Sequence, residues 1–329
     1  MIETGEMPAV VMRGFGSPDV LELAMVEKPT PVDDEVLIRT RATTVTAGDC
    51  EFRRLDLPLS FRLPVWLYVK LWKGNQVVPG QEVAGEIESV GDDVTRFVPG
   101  DEVFAATSFR FGGAAEYVCL SESYPIARIP EPMTVEEAAT LPTGGLNAMH
   151  FLRSANVEDG DAVLINGAGG SIGTYAVQIA TTWGADVTCV DSGEKLDVLC
   201  SLGANSVVDY TREEFTDRGE RYDVVIDVVG TSPFSRTLRC LSPGGRYVLG
   251  NPTLLGRIRG GWANLTGERT VISSLAGYAP EDVEALVELV EAGEVRAVVD
   301  RRYPLDEIAD AHRFVESGRK TGNVVIDVA

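Results

Sequence analysis

The strand-like run Ala162-Val163-Leu164-Ile165 passes directly into Asn166-Gly167-Ala168-Gly169-Gly170-Ser171-Ile172-Gly173 and then into the helical stretch Thr174-Tyr175-Ala176-Val177-Gln178-Ile179-Ala180. No other segment constrains the fold as tightly. Small residues between a strand and a helix let the backbone turn sharply and approach a pyrophosphate, whose charge is drawn to the free N–H groups and positive dipole of the helix N-terminus. The spacing admits two registers. Read as Ala168-x-Gly170-x-x-Gly173 it has the strict spacing with Ala in first place; read from Gly167, the last glycine falls one position late, so the Ala register is preferred. A glycine-rich turn can also exist only to let two elements pack, and a second test is needed. The next strand, Asp186 to Val190, ends beside Asp191, which lies 23 residues beyond Ala168, near the roughly twenty expected for a carboxylate that binds the adenosine ribose. The two features together predict a dinucleotide held by Ala168, Gly170, Ser171, Ile172, Gly173 and Asp191. Asp191 would repel a 2′-phosphate, whereas Ser192 and Lys195 could receive one; NAD versus NADP stays open, with charge favouring NAD.

On either side of this motif the rhythm differs. Strand candidates Ala162–Ile165, Asp186–Val190, Ser206–Val208 and Asp223–Asp227 alternate with helical stretches such as Ser171–Trp183 and Glu194–Leu202, the pattern of a doubly wound α/β domain with a parallel sheet. Residues 1 to about 120 instead read as short strands, Ala9–Arg13, Glu35–Thr43, Val83–Val90, Glu102–Ala105 and Ala115–Cys119, broken by Pro79-Gly80, Gly91-Asp92 and Pro99-Gly100-Asp101. That spacing argues a β-rich barrel or sandwich. After the strand Gly244–Leu249 come Thr270–Leu275, two acidic amphipathic helices (Glu281–Glu291 and Leu305–Glu316) and a last strand, Asn323–Asp327. This tail no longer alternates and is expected to fold back on the first domain, giving 1–123 with 265–329 as one domain and 124–264 as the other.

Composition narrows the partners. With 29 Lys+Arg against 50 Asp+Glu the chain carries a formal charge of −21, and nucleic acid, which is bound mainly through cations, is not expected. Five lysines (Lys28, Lys70, Lys73, Lys195, Lys320) leave a surface of carboxylates and Arg, a composition suited to concentrated salt. The start, Met1-Ile2-Glu3-Thr4-Gly5-Glu6, lacks the basic and apolar regions of a secretory signal. The longest apolar run, Leu63–Val69, is too short for a membrane span. A cytoplasmic protein without a membrane partner is expected. Cys50, Cys119, Cys189, Cys200 and Cys240 lie singly, as small buried side chains rather than a zinc cluster or disulfide framework.

The segment Gly80-Gln81-Glu82-Val83-Ala84-Gly85-Glu86-Ile87-Glu88-Ser89-Val90-Gly91-Asp92-Asp93-Val94 resembles the G-H-E-x-x-G-x-x-x-x-x-G-x-x-V signature of the medium-chain dehydrogenase/reductase superfamily. The order of a β-rich domain, a nucleotide domain and a return segment agrees over essentially the whole chain. The resemblance implies a Rossmann doubly wound parallel sheet plus a GroES-like β-rich catalytic domain. Gln81 stands where zinc-dependent members have a ligand His, and Thr46 and Thr143 stand where they have Cys; the four-cysteine structural lobe is missing too. A catalytic zinc needs three ligands of the Cys, His or carboxylate type, and only Glu82 remains. His150 and His312 fall in helical stretches and read as packing or surface residues. The chain is therefore similar to the zinc-free quinone oxidoreductase (zeta-crystallin-like) branch, whose V-N-x-x-D-x-x-x-R element appears as Val45-Thr46-Ala47-Gly48-Asp49-x-x-x-Arg53.

That likeness implies NAD(P)H-dependent hydride transfer to a small, hydrophobic, electron-poor acceptor, a quinone or an α,β-unsaturated carbonyl. It carries over Thr46 and Asn147 as hydrogen-bonding residues at the nicotinamide, with a strand-end cap as the plain alternative for Thr46. Asp49 is expected to bond local backbone or pair with Arg53. Thr143, Tyr210, Val228, Val229, Gly250, Asn251 and Asn323 become further cofactor contacts by position, each of which could equally be a turn or core residue. No general acid stands out, leaving water or a ribose hydroxyl as proton source. The apolar stretch Phe52–Lys73 reads either as a helix packed on the β-domain or as a lid over the substrate. A homodimer through the edge strand Thr270–Leu275 is implied. A zinc-free alcohol or aldehyde oxidoreductase, or a non-catalytic NAD(P)H-binding sensor or structural protein, are the competing functions.

Overall fold

The structure is a computed structural model and describes residues 5–57, 59–67, 69–70, 77–273 and 277–328, the side chains of 59–61, 109 and 266 excepted. Its strands in chain order are β1 (Glu6–Met12), β2 (Leu21–Glu27), β3 (Glu35–Thr44), β4 (Glu82–Val90), β5 (Glu102–Ala106), β6 (Tyr117–Ser121), β7 (Ile126–Arg128), β8 (Ala162–Asn166), β9 (Asp186–Asp191), β10 (Ser206–Asp209), β11 (Tyr222–Asp227), β12 (Leu241–Leu249), β13 (Thr270–Ile272), β14 (Val299–Pro304) and β15 (Asn323–Asp327). The helices are α1 (Ala47–Arg54), α2 (Leu59–Leu67), α3 (Val135–Ala138), α4 (Asn147–Ser154), α5 (Ser171–Thr182), α6 (Leu196–Ser201), α7 (Phe234–Cys240), α8 (Leu254–Thr266), α9 (Pro280–Glu291) and α10 (Ile308–Glu316).

Two compact units divide the chain, Met1–Thr143 with Val299–Ala329, and Gly144–Val298. The expected divisions at 123/124 and 264/265 fall elsewhere for a physical reason. β13 pairs with β12 in the parallel sheet, and α9 lies on α4, so residues 265–298 complete the nucleotide unit and only 299–329 return.

The second unit holds a six-stranded sheet in the order β10-β9-β8-β11-β12-β13, every adjacent pair parallel. Parallel strands buried on both faces need continuous apolar runs. Val163, Leu164 and Ile165 supply one, as do Val224, Val225 and Ile226, and all six are fully buried. In the first unit a seven-stranded sheet runs β14-β15-β3-β4-β5-β7, with β6 also on β3. Its strands alternate where one face is solvated, and Val36, Ile38, Val83, Ile87, Val103 and Leu120 form one core. The expected segment Asn323–Asp327 is β15, antiparallel to β3, so the end of the tail does fold back. Of the segment Phe52–Lys73, α2 is helical over Leu59–Leu67, while Tyr68 and Leu71–Lys73 lie outside the described residues, as does Leu275 of the proposed edge strand. Among the described residues no helix is long and apolar enough to cross a membrane.

Candidate active site

The turn after β8 is built as the spacing predicts. Gly170 caps α5 in an extended conformation without a side-chain cap, leaving amide N–H groups at the helix start for an anion. Gly167 has φ +84°. A Cβ at Gly173 would stand 2.3 Å from the Gly167 carbonyl and 2.5 Å from that of Ala168, so only glycine lets α5 start this close to the turn. Ala168 is fully buried, and its N–H, like that of Gly167, donates to the Val190 carbonyl. Ser171 and Ile172 open α5 and are half-buried. These features fit a pyrophosphate at the helix N-terminus.

Asp191 ends β9, buried. Its Oδ2 accepts the Gly169 N–H at 2.8 Å, and its Oδ1 accepts the Ser192 N–H at 2.8 Å and lies 3.0 Å from Lys195 Nζ. Lys195 is itself buried and lies across the turn, where a Cβ on Gly169 would stand 2.5 Å from its Cδ. The ammonium that sequence reasoning offered to a 2′-phosphate is thus held by the neighbouring carboxylate. Tyr210 is exposed, and its backbone N–H donates to the Asp191 carbonyl.

Asp227, at the end of β11, escaped sequence reasoning as an organising residue. Fully buried, it accepts from Asn166 Nδ2 (3.0 Å), the Gly230 N–H (2.9 Å), the Ser232 N–H (3.3 Å) and the Tyr247 hydroxyl (3.1 Å). One carboxylate therefore shapes the loop bearing Val228 and Val229, and its position as the last residue of an apolar strand was the available signal. The Val228 N–H donates to the Asn166 carbonyl and the Gly250 N–H to that of Asp227. Beside them a cavity of about 220 Å³ is lined by Gly230, Ser232, Phe234, Tyr247, Asn251 and Thr253, at the carboxyl ends of β11 and β12, where ligands of doubly wound sheets bind. Asn147 opens α4 and is buried.

In the first unit the three ligand-like positions sit in a network of carboxylates and hydroxyls. Thr46 is the N-cap of α1; its hydroxyl donates to Asp49 Oδ2 at 2.6 Å and accepts the Asp49 N–H at 3.2 Å, a reciprocal capping box. Thr46 thus caps a helix rather than a strand end, and its hydroxyl proton is already committed. Gln81 Nε2 donates to Asp49 Oδ1 at 3.3 Å. Asp49 does not pair with Arg53; that guanidinium donates instead to the Gly16 carbonyl and Glu316. Glu82 accepts from the Thr44 hydroxyl and, at 2.6 Å, from the Thr143 N–H. Burial pushes the Glu82 carboxyl up to about 7 against those donors, with the nearby Asp49 charge acting in the same direction. Burial likewise raises Asp49. An amide, two threonines and two carboxylates already occupied by donors do not suit zinc, and among the described residues no group of three or more His, Cys, Asp or Glu is placed to hold a metal.

Asn323, expected at the cofactor, is buried in the first unit and pairs with Val299 across β14 and β15. His312 is buried beside Cys50 and Arg53, and burial drives it down to about 3; it packs, as expected. Four of the five cysteines are buried and Cys200 is exposed.

A parallel sheet in this order, with a glycine turn at its first strand and a carboxylate ending the next, defines a dinucleotide-binding oxidoreductase domain. The family model described as an alcohol dehydrogenase GroES-like domain matches residues 32–131, and that described as a zinc-binding dehydrogenase matches 202–326. The chloroplastic quinone-oxidoreductase homolog of Spinacia oleracea is 32% identical, with 98% of each chain covered. The chloroplastic NADPH-dependent alkenal/one oxidoreductase of Arabidopsis thaliana is 31% identical over 98% of this chain and 79% of that one. A solved quinone oxidoreductase from Coxiella burnetii superposes with a TM-score of 0.87 at 29% identity, covering 99% of this chain and all of the other. The chain belongs to the medium-chain dehydrogenase/reductase superfamily, in its quinone oxidoreductase branch, and is a nicotinamide-dependent oxidoreductase.

Proposed function

We propose that the chain reduces quinones or α,β-unsaturated carbonyls with hydride from NAD(P)H, without a metal. The observation that carries this is the donor set at Thr46, Gln81 and Thr143, tied up with Asp49 and Glu82 where zinc ligands would be required. The names of the relatives, a quinone oxidoreductase homolog and an alkenal/one oxidoreductase, support the same substrate class.

The bound dihydronicotinamide supplies the hydride. The chain binds and orients: amides at the start of α5 hold the pyrophosphate, Asp191 accepts from the ribose, and Asn147 positions the carboxamide or the acceptor oxygen. Because the Thr46 hydroxyl donates to Asp49, it acts as a fixed acceptor surface rather than a free donor. A conjugated acceptor suits such a site, since it spreads developing negative charge without a Lewis acid. NADH is the preferred reductant in this reading, because Lys195 is engaged by Asp191 and a 2′-phosphate would have to displace it.

The test follows loss of dihydronicotinamide absorbance with NADH and NADPH against a panel of quinones, enones and simple aldehydes. Turnover confined to quinones and enones is expected. Turnover of aldehydes alone would overturn the substrate class, and cofactor binding without turnover across the panel would overturn catalysis.

A further inference from the structure

The cavity at the carboxyl ends of β11 and β12 has a volume of about 220 Å³, more than the roughly 150 Å³ that takes a benzene ring. Phe234, Leu249 and Leu255 give it apolar wall. Most of its polar groups are already engaged. The Ser232 N–H and the Tyr247 hydroxyl donate to Asp227, the Ser232 hydroxyl oxygen accepts from Asn166 Nδ2 at 3.0 Å, and the Thr253 hydroxyl oxygen accepts the Gly256 N–H at 3.0 Å. Arg259, which also lines the cavity, differs from them. Residues 228–267 contain no Asp or Glu in a chain that has 50 of them, and among the described residues the Arg259 guanidinium forms no ion pair or hydrogen bond. Asp227, just before this stretch, has its oxygens taken up by four donors.

The helix presents Arg259 from a fixed element. A Cβ on Gly260 would stand 2.8 Å from Val271 Cγ1, Ala263 packs on the buried cluster around Tyr247 and Val271, and the Asn264 side chain both accepts the Val271 N–H at 2.6 Å and donates to the Val271 carbonyl at 3.0 Å. Small and amide groups thus hold α8 to the sheet, while Ile258, Trp262 and Leu265 are between 54% and 84% exposed. Leu255 and Arg259 are four residues apart and so share one face of the helix. That face offers the cavity an apolar contact and a cation side by side.

The charges of the cofactor have another place. Its pyrophosphate belongs at the start of α5, after β8, and β11 separates β8 from β12 in the sheet, a distance of about 10 Å. The part of a dinucleotide that reaches β12 is the reduced nicotinamide, which is uncharged. We infer that Arg259 is a specificity residue that pairs with a carboxylate on the acceptor, while Phe234, Leu249 and Leu255 take the apolar ring or chain that carries it. A guanidinium meets a carboxylate through two parallel N–H···O bonds, stronger than bonds between neutral groups. The acceptor is then a quinone or unsaturated carbonyl that is also an acid, which adds a charge to the hydrophobic acceptor expected from the sequence. This assignment rests on the reduction proposed above.

The test compares benzylideneacetone bearing a para-carboxylate with its methyl ester, and titrates benzoate into the full-length protein by calorimetry. The wild type should favour the acid in kcat/KM by about tenfold or more, as a charge-assisted pair requires. Arg259→Gln should cut that ratio by about tenfold, and Arg259→Lys should restore part of it, since an ammonium keeps the charge without the planar fork. Rising ionic strength should weaken the wild-type preference. Benzoate should bind the wild type, compete with the acceptor, and lose about tenfold in affinity in Arg259→Gln. Equal kcat/KM for acid and ester in the wild type overturns the inference, as does a benzoate affinity undiminished in Arg259→Gln. An effect of Arg259→Gln confined to the KM for the dihydronicotinamide would assign the cation to the cofactor and overturn it too. If no acceptor is reduced while benzoate still binds through Arg259, the carboxylate site stands and the proposed reduction alone fails.

Discussion

At Asp191 two backbone N–H groups and the Lys195 ammonium converge on one carboxylate. Replacing it frees the lysine and removes the charge that opposes a 2′-phosphate. Asp191→Ala should therefore raise kcat/KM for NADPH relative to NADH by about tenfold or more, equivalent to about 1.4 kcal/mol, as read from initial rates with each cofactor. Glu82 carries a different consequence. Its carboxyl is raised from 4.5 to about 7 by burial, so the folded chain holds that proton more tightly than the unfolded one. The contribution to stability is fully present below pH about 4.5 and is lost as the pH rises to about 7, on the order of 3 kcal/mol in all. Glu82→Gln can still accept from the Thr143 N–H and donate to the Thr44 hydroxyl; it should flatten the dependence of denaturant midpoint on pH across that window. Asp191 was legible from its distance along the chain to the glycine turn. The commitment of Lys195 and of the Thr46 hydroxyl was not, because a sequence gives the types of neighbouring groups but not which donor reaches which acceptor.

Among the elements, α1 and α10 are tied by side chains remote in sequence. Arg53, 1% exposed, donates to the Gly16 carbonyl and to Glu316, and lies 3.4 Å from His312 Nδ1. Arg53→Leu leaves the Gly16 carbonyl without this donor and Glu316 with Arg54 alone, and a loss of about 2 kcal/mol is expected in urea unfolding, with the capping box of α1 as the nearest element affected. Flanking turn chemistry made β3 and β4 readable almost to the residue, although three successive residues of β3 and four of β4 are buried. β14 was missed because its residues Asp300, Arg301 and Arg302 are largely exposed and carry no apolar pattern. The helix α8 was missed for the converse reason: its inner face is Gly260, Ala263 and Asn264, so the hydropathy pattern points away from the sheet that holds it.

For the whole molecule, the charge of −21 opposes compaction, and screening relieves that repulsion. The Tm should rise with KCl from dilute buffer towards molar salt, measured by circular dichroism; a flat or falling Tm would show that the acidic surface is not self-repelling enough to matter.

The order of residues by itself determined the strand–turn–helix with dinucleotide-site spacing and the carboxylate that follows it, since each is a local matter of spacing and side-chain chemistry, and the family resemblance added that Gln81, Thr46 and Thr143 stand at zinc-ligand places. Only the tertiary structure decided that residues 265–298 belong with the parallel sheet, that Asp227 shapes the loop after β11, that Lys195 is neutralised by Asp191, and that the apolar side of α8 faces out. Those outcomes depend on which distant groups meet, and pairing energies between distant groups are not written in local periodicity.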